Sequence, residues 1–126
     1  MVIFEGKSAE PVYLYVVNES AELLSASAIW GKSVWETDEI LHKTHQDTRL
    51  RIAACGRSAE AGCLYAGIVN DLHRAAGRSG VGTVMASKNL KAIAVIGTQG
   101  VGNIKDPARF MQTTAEQKKV LVDHPV

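Results

Sequence analysis

Asn70-Asp71-Leu72-His73-Arg74-Ala75-Ala76-Gly77-Arg78-Ser79-Gly80-Val81-Gly82-Thr83-Val84-Met85-Ala86-Ser87-Lys88-Asn89-Leu90-Lys91 runs on into Ala92-Ile93-Ala94-Val95-Ile96. The final run, Lys91–Ile96, is the clearest buried strand of the chain, a near-continuous apolar stretch of strand length. Ser79–Asn89 before it reads as a glycine-led helix or helical turn. Gly77, Gly80 and Gly82 let backbone approach a ligand closely, and free N–H groups at a following helix start favour an anion, usually phosphate. Arg74 and Arg78 are two cations separated by three small residues with no acid between them, which also suits an anionic group.

Two familiar phosphate motifs fail against this segment. Gly77-x4-Gly82 is followed by Thr83-Val84, so the P-loop lysine is missing. After Gly80-Val81-Gly82, Met85 stands where the dinucleotide fingerprint needs its third glycine. A glycine-rich turn that merely joins strand to helix remains an open alternative.

Working outward, Val2–Gly6, the turn-like Lys7–Pro11 and Val12–Val17 give a hairpin signal. A strand starting directly after Met1 suggests structure ahead of it. Ser33 and Glu36 have capping-box spacing, predicting a helix over about 34–44 with Val34, Thr37, Ile40, Leu41 and Thr44 on one stripe and Trp30 and Trp35 packed at the cap. Strands are expected at Arg49–Ala54 and Leu64–Val69, joined by a loop at Gly56–Gly62. Gly97–Gly102 reads as a linker. Asp106-Pro107, an N-cap followed by proline at the first helical position, starts a last helix over about 107–122.

The 126 residues, 46% hydrophobic and 21% charged, suit one globular domain carrying both helices and strands. Fourteen basic against thirteen acidic residues give a net charge of +1. There is then no global field for nucleic acid or an anionic membrane, and any anion site must be local. Two cysteines make no disulfide framework, no secretory leader is evident, and no apolar run approaches the roughly 20 residues of a membrane span. The expected compartment is the cytoplasm. Cys55 and Cys63, with His42 and His45 upstream, lack zinc spacing, which places paired cysteines about two to four residues apart. Buried thiols and solvated histidines are expected instead. His73 is read as a structural hydrogen-bonder, and Lys88 and Lys91 as joining Arg74 and Arg78 in one phosphate-facing or helix-end charge group.

The segment "NDLHRAAGRSGVGTVMASKNLKAIAV" resembles the first domain of the aldehyde ferredoxin oxidoreductases, and "EGKSAEPVYLYV", "ASAIWGKSVWETDEIL" and "RLRIAACG" agree with it in order and spacing. The resemblance covers nearly all of residues 2–97. It implies an α+β fold: a mixed, largely antiparallel sheet with a few helices, an incomplete part of the family's pterin-binding N-terminal domain over residues 2–104. A helical segment over 105–126 would lead toward a following domain.

The resemblance further implies a tungstopterin or molybdopterin cofactor with two pterins and a bridging Mg2+, a nearby 4Fe-4S cluster, and oxidation of aldehydes to carboxylates with electrons passed to ferredoxin. Arg74 and Ala75 match the Arg-Ala pair that meets the cofactor near its phosphates, with the Ala75 backbone carbonyl on the magnesium. By the same matching Asn70, Asp71, Gly77, Arg78, Gly80 and Gly82 wall the site. No residue of the chain is assigned a catalytic role. The implied partners are ferredoxin, an aldehyde, the remainder of the same polypeptide and a second copy in a homodimer, without nucleic acid or membrane.

The chain departs from the family pattern at Gly56-Arg57-Ser58-Ala59-Glu60-Ala61, where members carry a Gly-Pro-Ala-Gly-Glu-Asn-like loop. The family's cluster cysteines lie C-terminal to the matched region and have no counterpart here, so the chain alone is expected to be inactive. Two other readings stay open: a small non-enzymatic phosphate- or nucleotide-binding module using Gly77–Gly82, and a truncated product with no ligand.

Overall fold

The computed structural model describes residues 2–100 and 102–124; Met1, Val101 of the expected linker, and Pro125-Val126 beyond the expected last helix lie outside the described residues. Val12–Val17 forms strand β1 and returns at once through Asn18, at φ 53°, and Glu19 into β2, Ser20–Ser25. Their register runs from Val12↔Ser25 to Val17↔Ser20. The hairpin therefore lies on the other side of Val12–Val17 from the one expected, and Val2–Gly6 is not a strand. Backbone groups of that leading segment are tied to residues 88–89 instead. Ser8 N–H donates to Lys88 O at 3.1 Å, Lys88 Nζ to Gly6 O at 3.0 Å, and Asn89 Nδ2 to Ser8 O at 2.8 Å.

Helix α1, Val34–His45, starts as its capping box predicts. Glu36 N–H donates to Ser33 Oγ at 3.2 Å, and Ser33 N–H donates to Glu36 Oε2 at 2.8 Å. Val34, Thr37 and Leu41 are buried and Ile40 packs on the core, whereas Thr44 is exposed and spends its hydroxyl on Ile40 O. Trp30 packs on a core cluster, but Trp35 is 66% exposed rather than packed at the cap. His45 is not solvated as expected: its ring stacks on Tyr15 at 3.9 Å between centroids, and Nε2 lies 3.0 Å from Tyr13 Oη.

Strand β3 is Arg51–Cys55. The expected loop after it holds a single-turn helix, α2, Arg57–Glu60. Strand β4 is Ile68–Asn70, later and shorter than expected, because Leu64–Gly67 stays irregular and packs against the start of the next helix. Strand β5, Arg74–Ala76, was not expected. Helix α3, Val81–Ser87, strand β6, Leu90–Ile96, and helix α4, Pro107–Asp123, with its Asp106 cap, follow the sequence reading closely.

The strands form one six-stranded sheet in the order β2-β1-β6-β3-β4-β5. Strand β6 runs parallel to β1 and antiparallel to β3, and every other pairing is antiparallel, so the fold is α+β with a mixed, largely antiparallel sheet. Alternation divides the core between the faces. Ile52, Ala54, Ala92 and Ala94 meet Leu41 of α1 on one face. Cys55 and Ile68 meet Ala59 of α2 and Met85 and Ala86 of α3 on the other. Helix α4 buries none of its residues.

Candidate anion site at the sheet edge

The segment singled out by sequence becomes a hairpin on the outer edge of the sheet. Strands β4 and β5 pair through Ile68↔Ala76, Val69↔Ala75 and Asn70↔Arg74. Between them Asp71 (φ 44°) and Leu72 (φ 61°) are both left-handed, and His73 N–H donates to Asn70 O at 3.1 Å. A leucine in that region costs about 1–3 kcal/mol and persists only where the surroundings over-determine it. Here Asp71 N–H donates to Ile52 O and Ile52 N–H donates to Asp71 Oδ1, both at 2.9 Å, fastening the turn to β3. Asp71 therefore spends one carboxylate oxygen inside the fold.

Arg74, Ala75, Ala76, Gly77 and Arg78 are all exposed. Among the described residues strand β5 has no strand neighbour on its outer side, so it presents unpaired edge groups. A Cβ on Gly77 would meet nothing within 4 Å. Neither Arg74 nor Arg78 makes an ion pair among the described residues. Free guanidinium groups beside approachable backbone could receive an anion.

Gly80 and Gly82 lie elsewhere. A Cβ on Gly80 would fall 2.1 Å from Leu64 O, and one on Gly82 2.3 Å from Gly67 O. Gly82 N–H already donates to Ala66 O at 2.9 Å, and the Thr83 hydroxyl donates to Cys63 O. These glycines let α3 sit directly on the Cys63–Gly67 backbone, so the expected cradle splits into an open half at Gly77-Arg78 and a closed half at Gly80–Gly82. Gly67 completes the packing, since a Cβ there would come 2.8 Å from Ala76 O.

Lys91 leaves the charge group in which the sequence placed it. Its side chain is 0% exposed and donates to Glu60 Oε1 at 2.5 Å and to Lys32 O at 2.8 Å. Glu60 Oε2 accepts from Gly31 N–H at 2.9 Å. This pair fastens α2 and the Gly31-Lys32 turn to β6. Lys88, as above, holds the leading segment. Beside them, burial pushes the Cys55 thiol up to about 11, against the pull of Lys91, so it stays protonated near neutral pH. Cys55 and Cys63 are both free, and no group of three His, Cys, Asp or Glu residues suited to a metal occurs among the described residues.

Sequence reasoning missed a groove of about 560 Å3 on the α1 face, lined by Ser33–Glu36, Gly56–Ser58, Gly67 and Val69. Arg57, which departs from the family loop, bridges across it to Glu36 Oε2 at 2.9 Å. Because Val69 and Ala75 are directly paired, they share this face, whereas Asn70 and Arg74 face the other.

The domain is α+β and carries an exposed, arginine-bearing edge hairpin, and comparison with known proteins specifies its family. Residues 1–97 match the family described as aldehyde ferredoxin oxidoreductase, N-terminal domain, and the chain belongs to that family. It is 46% identical over 125 residues to the tungsten-containing aldehyde ferredoxin oxidoreductase of Pyrococcus furiosus and 44% identical to that of Thermococcus kodakarensis; each match covers 99% of this chain and 20% of the relative. A more distant relative, at 32% identity over 86% of this chain and 19% of its own length, is the aliphatic sulfonate oxidoreductase, WOR-like subunit, of Pyrococcus furiosus. Among solved structures, the active site complex BamBC of benzoyl coenzyme A reductase in complex with 1,5-dienoyl-CoA superposes with a TM-score of 0.85 and 37% identity, over 93% of this chain and 18% of that one. The chain thus spans about a fifth of the length of the curated relatives it matches. No helix of the described residues is long and apolar enough to cross a membrane.

Proposed function

We propose that this chain supplies part of the platform for a tungsten- or molybdenum-pterin cofactor in an aldehyde ferredoxin oxidoreductase, with Arg74 and Arg78 toward the pterin phosphates and the Ala75 carbonyl toward their magnesium. The observation that carries the proposal is the β4–β5 edge: two exposed arginines with no ion-pair partner among the described residues, flanking the open Gly77 backbone, inside a family match. Such residues fit a diphosphate-bearing group, since guanidinium forks suit phosphate and an edge strand offers free carbonyls to a hard cation. When bound, that cofactor supplies the redox chemistry. This chain's residues bind and orient it, and alone they turn over nothing.

At the level of the whole protein the proposal is oxidation of an aldehyde to a carboxylate, with electrons leaving through a 4Fe-4S cluster to ferredoxin, all in the cytoplasm. The relatives' names span aldehydes, sulfonates and an acyl-CoA reductase complex. We therefore assign substrate choice to polypeptide beyond these 126 residues. The stand-alone nucleotide module is disfavoured by the closed start of α3, whose Gly82 N–H is already spent on Ala66 O.

Titration of the chain with magnesium pyrophosphate tests the local part. Arg74→Gln should weaken binding about tenfold or more, the scale of a lost charge-assisted hydrogen bond. Equal binding by both proteins would overturn the assignment of Arg74.

A further inference from the structure

We infer that Arg51, to which the resemblance gives no role, is a second phosphate-binding arm on the sheet face that carries Arg74. The inference rests on the anion site proposed for Arg74. Its basis is strand register. Ala53 pairs with both Ile93 and Asn70, and Asn70 pairs with Arg74, so Ile93, Ala53, Asn70 and Arg74 form one row across four strands. Paired residues share a face, and residues two apart on a strand share it too, so Arg51 stands on the same face as this row.

Toward Cys55, Ile68 and Leu90 this face is covered by α2 and α3. Toward Arg51 it is open: Arg51, Asn70 and Arg74 are exposed, and Val95, the partner of Arg51, is 36% exposed. A depression of about 100 Å3 lies there, lined by Arg51, Ala53, Asn70, Asp71, Ile93 and Val95. Its floor is small or apolar and its polar rim is two-sided.

Charge sharpens the case. Arg49, two residues upstream, is held by Asp47 through a bidentate contact of 2.7 and 3.0 Å. Arg51 has no ion-pair or hydrogen-bond partner for its side chain among the described residues. The acid on the rim, Asp71, has one oxygen committed to Ile52 N–H. The depression holds Arg51 and the Asn70 amide, and Arg74 is paired with Asn70 one strand further out, so a phosphate ester or diphosphate lying across these strands would meet both guanidinium forks. Arg51 and Arg74 belong to different strands, so the sheet rather than local sequence sets them on one face.

The test is calorimetric titration of the wild-type chain, Arg51→Gln, Arg74→Gln and the double variant with magnesium pyrophosphate, each first checked for an unchanged thermal midpoint. Arg51 is exposed, so its replacement should leave folding intact, and Arg51→Lys provides a second variant that keeps charge but not the fork. The expected result is that Arg51→Gln weakens binding about tenfold and Arg51→Lys recovers part of the loss. Unchanged affinity in Arg51→Gln alongside a loss in Arg74→Gln overturns the role of Arg51 and leaves the Arg74 site standing. A loss in Arg51→Gln with no effect of Arg74→Gln upholds the Arg51 arm and removes the Arg74 reading. A wild-type chain that does not bind pyrophosphate at all overturns both.

Discussion

Gly82 and Lys91 carry opposite lessons about single residues. The sequence showed that Gly82 mattered, because glycines crowd around it, but not why. The reason is Gly67 O, 2.3 Å from where its Cβ would stand, a contact between positions 67 and 82 that local spacing cannot express. Gly82→Ala should destabilise the chain by about 1–3 kcal/mol, the usual cost of overpacking, read as a lower denaturant midpoint at constant slope. An unchanged midpoint would show that the backbone of Cys63–Gly67 can give way. Lys91 was misplaced because a lysine beside other cations reads as surface charge. Its burial depends on Glu60, which lies 31 residues away. Lys91→Met alone should cost about 3–5 kcal/mol by leaving Glu60 buried without its partner, while Lys91→Met with Glu60→Leu should recover most of that loss. Equal losses in the single and double variants would mean that packing volume, not charge pairing, sets the cost.

Elements were legible where their signals were local. The Ser33–Glu36 box and the Asp106-Pro107 start gave α1 and α4 nearly to the residue, and the apolar run gave β6. Strand β2 was missed because Ser20–Ser25 is largely exposed and shows little apolar alternation, and β5 because three residues of an edge hairpin carry almost no periodicity. Helix α1 also makes a pH prediction. Glu36 is held down to about 2 from 4.5, first by the Ser33 N–H, then by the Ser33 hydroxyl, with Arg57 and Lys32 adding attraction. As pH falls the unfolded chain takes up this proton before the folded one does. The cap's contribution is therefore complete above about 4.5 and disappears as pH falls through about 2. Wild type should exceed Glu36→Gln in stability near neutral pH, with the gap closing across that acid window. A gap that does not change with pH would assign the effect to side-chain shape rather than charge.

At the scale of the molecule, the family was legible from one long ungapped segment, and the fold agrees with it. What the sequence could not show was the division of that segment between two jobs. Gly80 and Gly82 pack α3 onto the domain, while Arg74 to Arg78 stay open on an edge hairpin fastened to β3 through Asp71. The separation follows from the sheet, which alone determines that Asn70 and Arg74 share a face with Ala53 and Arg51. The most direct measurement is tungsten content in a chimera, with this chain replacing the matching 125 residues of the Pyrococcus furiosus relative, to which it is 46% identical. The platform assignment predicts that the chimera retains tungsten and that Arg74→Gln within it strips most of the metal without unfolding the protein. A folded chimera that keeps its full tungsten content with Arg74 and Arg78 both changed to glutamine would contradict it.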